Sequence, residues 1–313
     1  SLGEFENLFI KIAAIKGNVD FTIKNKTMVV FCSDNGVVAE GVTQTDSSVT
    51  TIVANNIPKG VATISKLSGA CGAKAIAVDV GINGDTPEGV LDYKVSKGTN
   101  NIANGPAMTK EQMMQAINAG IDVVKNLKDK TDIIGLGEMG IGNTSPSSIW
   151  MHLLTGISLE QCVGAGSGLD SEGIRHKYNV LKQSVNHYTG NGSVKDIIAW
   201  FGGYEMVMAI GGMLRAAELR MIILVDGFIM TNCILAASKL HPEVLSYAIF
   251  GHQGDEIGHK LVLDAMKVRP LLNLGLRLGE GTGAICAYPI VVSSVNMMNE
   301  MDNFAHAAIT KYF

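Results

Sequence analysis

Asp132-Ile-Ile-Gly-Leu-Gly-Glu-Met-Gly-Ile-Gly-Asn-Thr144 sets the class of the fold. It opens as a short apolar run, passes through a glycine-rich loop and enters an amphipathic stretch that continues to residue 154. A strand running through glycines into a helix is the repeating unit of a parallel sheet. Working outward, further short apolar or β-branched runs fall at 27–33, 73–80, 221–225 and 245–250, with a possible one at 159–163. Helical periodicity is read at 2–15, 47–67, 110–127, 144–154, 171–188, 204–217, 227–239, 257–268 and 281–313. The expectation is an α/β fold, a parallel Rossmann-like sheet flanked by helices. The first and last helices lack neighbouring strand signals, so they are expected to form a smaller helical domain from 1–20 and 281–313. The segment 21–280 is then the large α/β domain that carries the site. Rich in Gly, Asn, Asp and Thr, 81–108 reads as a long loop over one sheet edge.

The bulk composition narrows the function. Only 17% of residues are charged, 47% are apolar and the net charge is −4, the balance of a soluble enzyme. No cluster of Lys and Arg appears, which excludes nucleic acid as the expected partner. No apolar stretch reaches the ~20 residues needed to cross a bilayer, and no secretory signal is read at the start, so a cytoplasmic location is expected. Five cysteines, Cys32, Cys71, Cys162, Cys233 and Cys286, are odd in number and widely spaced in apolar segments. They read as free thiols in a reducing compartment, with neither a disulfide framework nor a zinc site.

In open parallel sheets, sites form beyond the carboxyl ends of the strands. Asp34, the Glu138 loop and Asp226 all follow expected strands. Of three glycine-rich runs, 137–145, 164–170 and 275–284, the first two supply free N–H groups and hydroxyls suited to a phosphate, and the last holds a lone acid. In the last of these, Glu280 stands between Gly279 and Gly281 ahead of an apolar helix, where the helix dipole is expected to favour its ionised form, and Arg277 either lowers its pKa further or makes a salt bridge elsewhere. Asn143, Thr144 and Ser145 can cap the following helix or hold a phosphate or ribose. Gly166, Ser167 and Gly168 turn into the helix expected at 171, and Lys177 either reaches back to a phosphate or is a solvated surface lysine. Gly135, Gly137 and Gly140 also satisfy the dinucleotide spacing G-x-G-x-x-G. That reading needs an acid at the end of the next strand, whereas Glu160 sits at the start of its possible strand, so a nicotinamide oxidoreductase is the weaker alternative. His252 and His259, near Asp255, lack a third ligand at suitable spacing and read as structural, with no metal expected.

Taken together, Ser33-Asp-Asn-Gly-Val-Val-Ala-Glu-Gly-Val-Thr43, Gly137-Glu-Met-Gly-Ile-Gly-Asn-Thr144, Gly164-Ala-Gly-Ser-Gly-Leu-Asp170, Gly202-Gly-Tyr-Glu-Met206, Val225-Asp-Gly-Phe228 and Leu276-Arg-Leu-Gly-Glu-Gly-Thr-Gly-Ala284 follow one pattern. The chain resembles the nicotinate-nucleotide–dimethylbenzimidazole phosphoribosyltransferases of cobalamin lower-ligand assembly, in order along its length. The resemblance implies transfer of ribose 5-phosphate from nicotinate mononucleotide to 5,6-dimethylbenzimidazole, without cofactor or metal. It assigns Glu280 as general base and Glu138 as the second catalytic glutamate. Gly140, Asn143, Thr144, Gly166, Ser167, Gly168, Lys177 and Leu278 fall on the nucleotide and phosphate, while Asp34, Thr43 and Gln44 fall on the acceptor base. A dimer is implied, either of identical chains or with a similar chain of a phenol- or benzimidazole-activating pair. Asn35 stands where the family often has His, and 44–48 lacks a frequent aromatic residue, so the acceptor stays open among benzimidazole, purine and phenol.

Overall fold

A computed structural model describes residues 2–302. Its centre is a six-stranded, wholly parallel sheet, β1 (Lys26–Ser33), β2 (Lys74–Gly81), β3 (Leu91–Asp92), β4 (Ile133–Met139), β5 (Ile222–Val225) and β6 (Ala248–Phe250), in the spatial order β3-β2-β1-β4-β5-β6. β1 and β4 lie side by side with Phe31 opposite Glu138. The chain leaves β1 toward one edge and returns to β4 toward the other, so the loops after these two strands part and open a crevice. A second, two-stranded sheet pairs β7 (His252–Gln253) with β8 (Leu272–Asn273).

The helices are α1 (Glu4–Lys16), α2 (Ser48–Asn56), α3 (Thr63–Ala70), α4 (Lys110–Lys125), α5 (Thr144–Thr155), α6 (Leu159–Cys162), α7 (Ser171–Asn186), α8 (Val194–Phe201), α9 (Tyr204–Glu218), α10 (Phe228–Leu240), α11 (Ile257–Met266) and α12 (Thr282–Glu300). β-Branched and apolar residues on both faces of the buried strands feed two cores. On one face Val29, Phe31 and Leu136 join Met208 and Met213 of α9 and Val124 of α4. On the other Met28, Ile133 and Leu224 join Tyr288 and Val291 of α12 and Ile12 of α1. The Tyr288 hydroxyl donates to the Ile133 carbonyl oxygen at 2.8 Å, fixing α12 across the start of β4.

The expected parallel sheet and most helices stand where the periodicity places them. Four readings change. Residues 159–163 form helix α6, because Leu159, Cys162 and Val163 are buried while Glu160 and Gln161 point out, a helical and not an alternating spacing. The single helix expected at 47–67 breaks into α2 and α3 around Pro58 and the left-handed Gly60, with the Asn56 carbonyl oxygen accepting from Val61 and Ala62. Within 245–250 only β6 is strand, preceded by a 3₁₀ turn at Pro242–Tyr247. α8, capped by the Ser193 hydroxyl, is absent from the sequence reading. The expected last helix is described only as far as Glu300 within α12, and 303–313 lie outside the described residues.

The 81–108 segment does run over the β2 edge, adding β3 to it. Asp79 anchors it by accepting from the N–H groups of Gly81 and Ile82, the Thr86 hydroxyl and the Lys94 ammonium, the last at 2.6 Å. Among the described residues no helix is long and apolar enough to cross a membrane.

α4 and α9 approach so closely that a Cβ at Gly120 would overlap the Met208 carbonyl oxygen, and one at Gly211 the Ile117 carbonyl oxygen. Alanine in a helix gains ~1 kcal/mol of propensity over glycine, while overpacking a filled interface costs about 1–3 kcal/mol. Gly120→Ala should therefore destabilise the protein, lowering the urea midpoint by the equivalent of about 1–2 kcal/mol; a raised midpoint would show that the two helices separate freely.

Candidate active site

The crevice beyond β1, β4 and β5 holds a cavity lined by Thr43, Glu138, Gly140, Asn143, Thr144, Gly166, Ser167 and Leu278, with Asp226, His252, Glu256 and Arg277 also on its wall. Eight of the expected site residues thus meet around one space.

One side has a buried cation behind it. Lys177 on α7 is wholly buried, and its Nζ donates to the Thr144 hydroxyl at 2.7 Å beside Gly166. Burial lowers its pKa to about 8, against the opposing pull of Glu256, so the surface-lysine alternative does not hold. Gly166 is left-handed, with φ 54°, and a Cβ there would stand 2.9 Å from the Thr144 hydroxyl. The Ser167 and Thr43 hydroxyls bond at 2.9 Å, closing the wall between the two loops. Gly168 and Gln44 lie just behind that wall without lining the cavity. Asp34 also stands off it, accepting from the Asn83 N–H at 2.7 Å, so its carboxylate supports the 81–108 segment.

The other side carries carboxylates. Glu138, near the end of β4, is almost wholly buried, and its pKa is pushed up to about 8, chiefly by burial. Glu205, Asp226 and Glu280 push the same way, whereas the Asn143 amide, donating to its Oε2, favours the ionised form. Asn143 occupies the N-cap of α5 but makes no side-chain capping bond; its amide is committed to Glu138.

Glu280 adopts φ 60° between two left-handed glycines, Gly279 at 83° and Gly281 at 86°. For a residue with a Cβ this conformation costs roughly 1–2 kcal/mol. The surroundings compel it. The Glu280 N–H donates to the Glu138 carbonyl oxygen at 3.1 Å, and Asp226 accepts from the N–H groups of Gly281 at 3.1 Å and Ala284 at 2.9 Å. A Cβ at Gly137 would collide with the Gly281 nitrogen, so β4 and the Glu280 turn meet backbone to backbone. The Glu280 carboxyl does not line the cavity; it lies toward the Ile64 N–H at the start of α3, with a buried, unpartnered Oε2. Burial raises its pKa, which corrects the expectation of a dipole-lowered value. The helix begins only at Thr282, and Arg277 bears on Glu256 instead.

His259 accepts from the Gly254 N–H at Nδ1, at 2.8 Å, so its Nε2 carries the proton and donates to the Thr231 hydroxyl at 3.0 Å. Burial beside His252 lowers its pKa to about 3. His252 stands 3.6 Å from Asp226, not beside Asp255 as the spacing suggested. Sequence reasoning gave no role to Glu205 or Glu256. Glu205 had two signals, its place in the Gly202–Met206 motif and at the head of an otherwise apolar helical run; Glu256 had none.

The family model described as phosphoribosyltransferase matches residues 1–309. Nicotinate-nucleotide–dimethylbenzimidazole phosphoribosyltransferases of Phocaeicola vulgatus and Bacteroides fragilis are 66% and 56% identical, each over 100% of this chain and 92% of the relative. The chain belongs to this phosphoribosyltransferase family. A crystal structure of CobT from Thermus thermophilus superposes with a TM-score of 0.94 at 34% identity, over 99% of this chain and 94% of that one. The strand order is also that of dinucleotide-binding folds, but sheet order alone carries no activity, and membership sets the oxidoreductase alternative aside. Within the phosphoribosyltransferase frame, the buried carboxylates have a measurable cost.

Glu138 and Glu205 have folded-state pKa values raised from 4.5 to about 8 and about 7. For such groups the stability present below the unfolded pKa is lost as pH rises through the folded one. Thermal unfolding of the unliganded protein should therefore show Glu138→Gln more stable than wild type at pH 8, with the difference shrinking toward pH 5; equal midpoints at both pH values would mean that the Glu138 pKa is not raised.

Proposed function

We infer that this chain transfers ribose 5-phosphate from nicotinate mononucleotide to 5,6-dimethylbenzimidazole or a related lower-ligand base, giving α-ribazole 5′-phosphate and nicotinate in cobalamin biosynthesis. The observation that carries the reading is the backbone junction of Glu138 with Glu280, set across one crevice from the buried Lys177–Thr144–Gly166 anion site.

The donor's 5′-phosphate binds Lys177 and the Gly166 and Ser167 backbone, with Gly168 shaping the turn, while Gly140, Asn143, Thr144 and Leu278 run along the nucleotide. The C1′–N bond breaks with its electron pair passing to the pyridinium nitrogen, so nicotinate leaves neutral at that atom and needs no general acid. The imine-type nitrogen of the acceptor attacks C1′ from the opposite face, inverting it, and the N–H proton on the other ring nitrogen passes to Glu280. The unpartnered Oε2 leaves lone pairs for that proton, and a raised pKa brings the base nearer the operating pH. Glu138 stabilises cationic character near C1′ or orders water there. Thr43 and Gln44 stand on the acceptor side, and Asp34 contributes by holding the 81–108 segment through Asn83.

Purified chain should release nicotinate from nicotinate mononucleotide only when dimethylbenzimidazole, adenine or p-cresol is added, with a new ribotide appearing by chromatography. No release with any acceptor would sink the reading for the isolated chain. Glu280→Gln should lose roughly 10²–10⁴ in kcat while calorimetry shows donor binding intact. Because the Lys177 ammonium is lost as pH rises through about 8, KM for nicotinate mononucleotide should climb above that pH in wild type. Lys177→Met should show a high, flat KM across the same range; a wild-type KM in this variant would remove Lys177 from the phosphate site.

A further inference from the structure

We propose that Glu205, fully buried and outside the cavity, is a positioning residue for Glu138 and acts through the Asn143 amide. The inference rests on Glu138 acting at the ribose.

Glu205 is the second residue of α9, with no exposed surface, and it makes no ion pair among the described residues. A carboxylate buried without a cation costs several kcal/mol unless hydrogen bonds hold it. Among the described residues one such bond is present, from an asparagine amide. Asn35, in the turn after β1, donates to Oε1 at 3.2 Å, and the Asn143 amide lies against the same carboxylate. Two glycines make the space: a Cβ at Gly140 would stand 2.8 Å from Oε1, and one at Gly203 would stand 2.5 Å from Oε2. The Oε2 atom has no partner.

An amide nitrogen carries two protons. The Asn143 amide donates to Glu138 with the Glu205 carboxylate beside it, so the two carboxylates together set its orientation. It is therefore free neither to cap α5 nor to turn away from Glu138. The second effect is charge. Glu138 faces Glu205 from α9, Asp226 from beyond β5 and Glu280 from before α12; Glu205 in turn faces Asp34 after β1. The Cys32 and Cys233 thiols beside them are pushed far toward the neutral form. Removing the Glu205 charge lowers the pKa of Glu138, because one like charge fewer opposes its ionisation.

A helix-end staple is the plain alternative, and Glu205→Gln separates the two because it keeps shape and deletes charge. The test titrates glutamate side-chain carbons by ¹³C NMR in the unliganded protein, with the Glu138 signal assigned by its loss in Glu138→Gln, and measures steady-state kinetics. In E205Q the Glu138 midpoint should move to lower pH and kcat should fall about 10- to 100-fold, with KM for nicotinate mononucleotide within about twofold. An unmoved midpoint with wild-type kcat overturns the inference, whatever the change in Tm. If E205Q does not fold, Asn35→Ser replaces it. Losing that donor makes Glu205 harder to ionise, so the Glu138 midpoint should again move down, and no movement overturns the inference. Full activity in Glu138→Gln would instead remove Glu138 from the ribose, a distinct failure read in the same assay.

Discussion

One backbone hydrogen bond, from the Glu280 N–H to the Glu138 carbonyl oxygen, joins the turn before the last helix to the end of the central strand. It forms only because Gly137 has no side chain and because Asp226 takes the first N–H groups of the α12 region. Those groups otherwise have no partner within the helix. The turn is left-handed at three successive residues, one of them Glu280. Such strain persists only where the surroundings over-determine it, and here three elements do so together: β4, the loop after β5 and α12.

From that junction the rest of the site follows. The turn lines the crevice with Leu278 and Gly279, while the Glu280 carboxyl lies toward the start of α3. Across the crevice, α5 and α7 bring Thr144 and Lys177 together, and burial keeps the ammonium poised near neutrality. The two sides have opposite electrostatic needs. A phosphate calls for the cation and for glycine N–H groups, whereas a ribosyl cation and an azole proton call for carboxylates whose pKa values have been raised.

The carboxylates show how much tolerance the fold extends to its site. Glu138, Glu205, Asp226 and Glu280 all have raised pKa values, each with burial as the largest cause. None gains stability by this near neutral pH. Asparagine amides and backbone N–H groups hold Glu138, Glu205 and Asp226, and Asp226 also has His252 at 3.6 Å.

The sequence by itself determined the parallel sheet, the glycine-rich loops at strand ends and the two glutamates, because alternation of apolar runs with amphipathic ones and glycines flanking a lone acid are local signals. It misplaced a strand at Leu159, where three buried residues fit a helical spacing, and joined α2 to α3 through Pro58. It also gave Glu280 the wrong direction of pKa shift, since helix polarity is legible locally but burial is not. Only the tertiary structure decided that Lys177 is interior, that Asp34 serves a loop, and that Asn143 stands between Glu138 and an unsuspected Glu205. Those facts depend on contacts among segments up to 170 residues apart, as between Asn35 and Glu205, and on which glycines leave room for them.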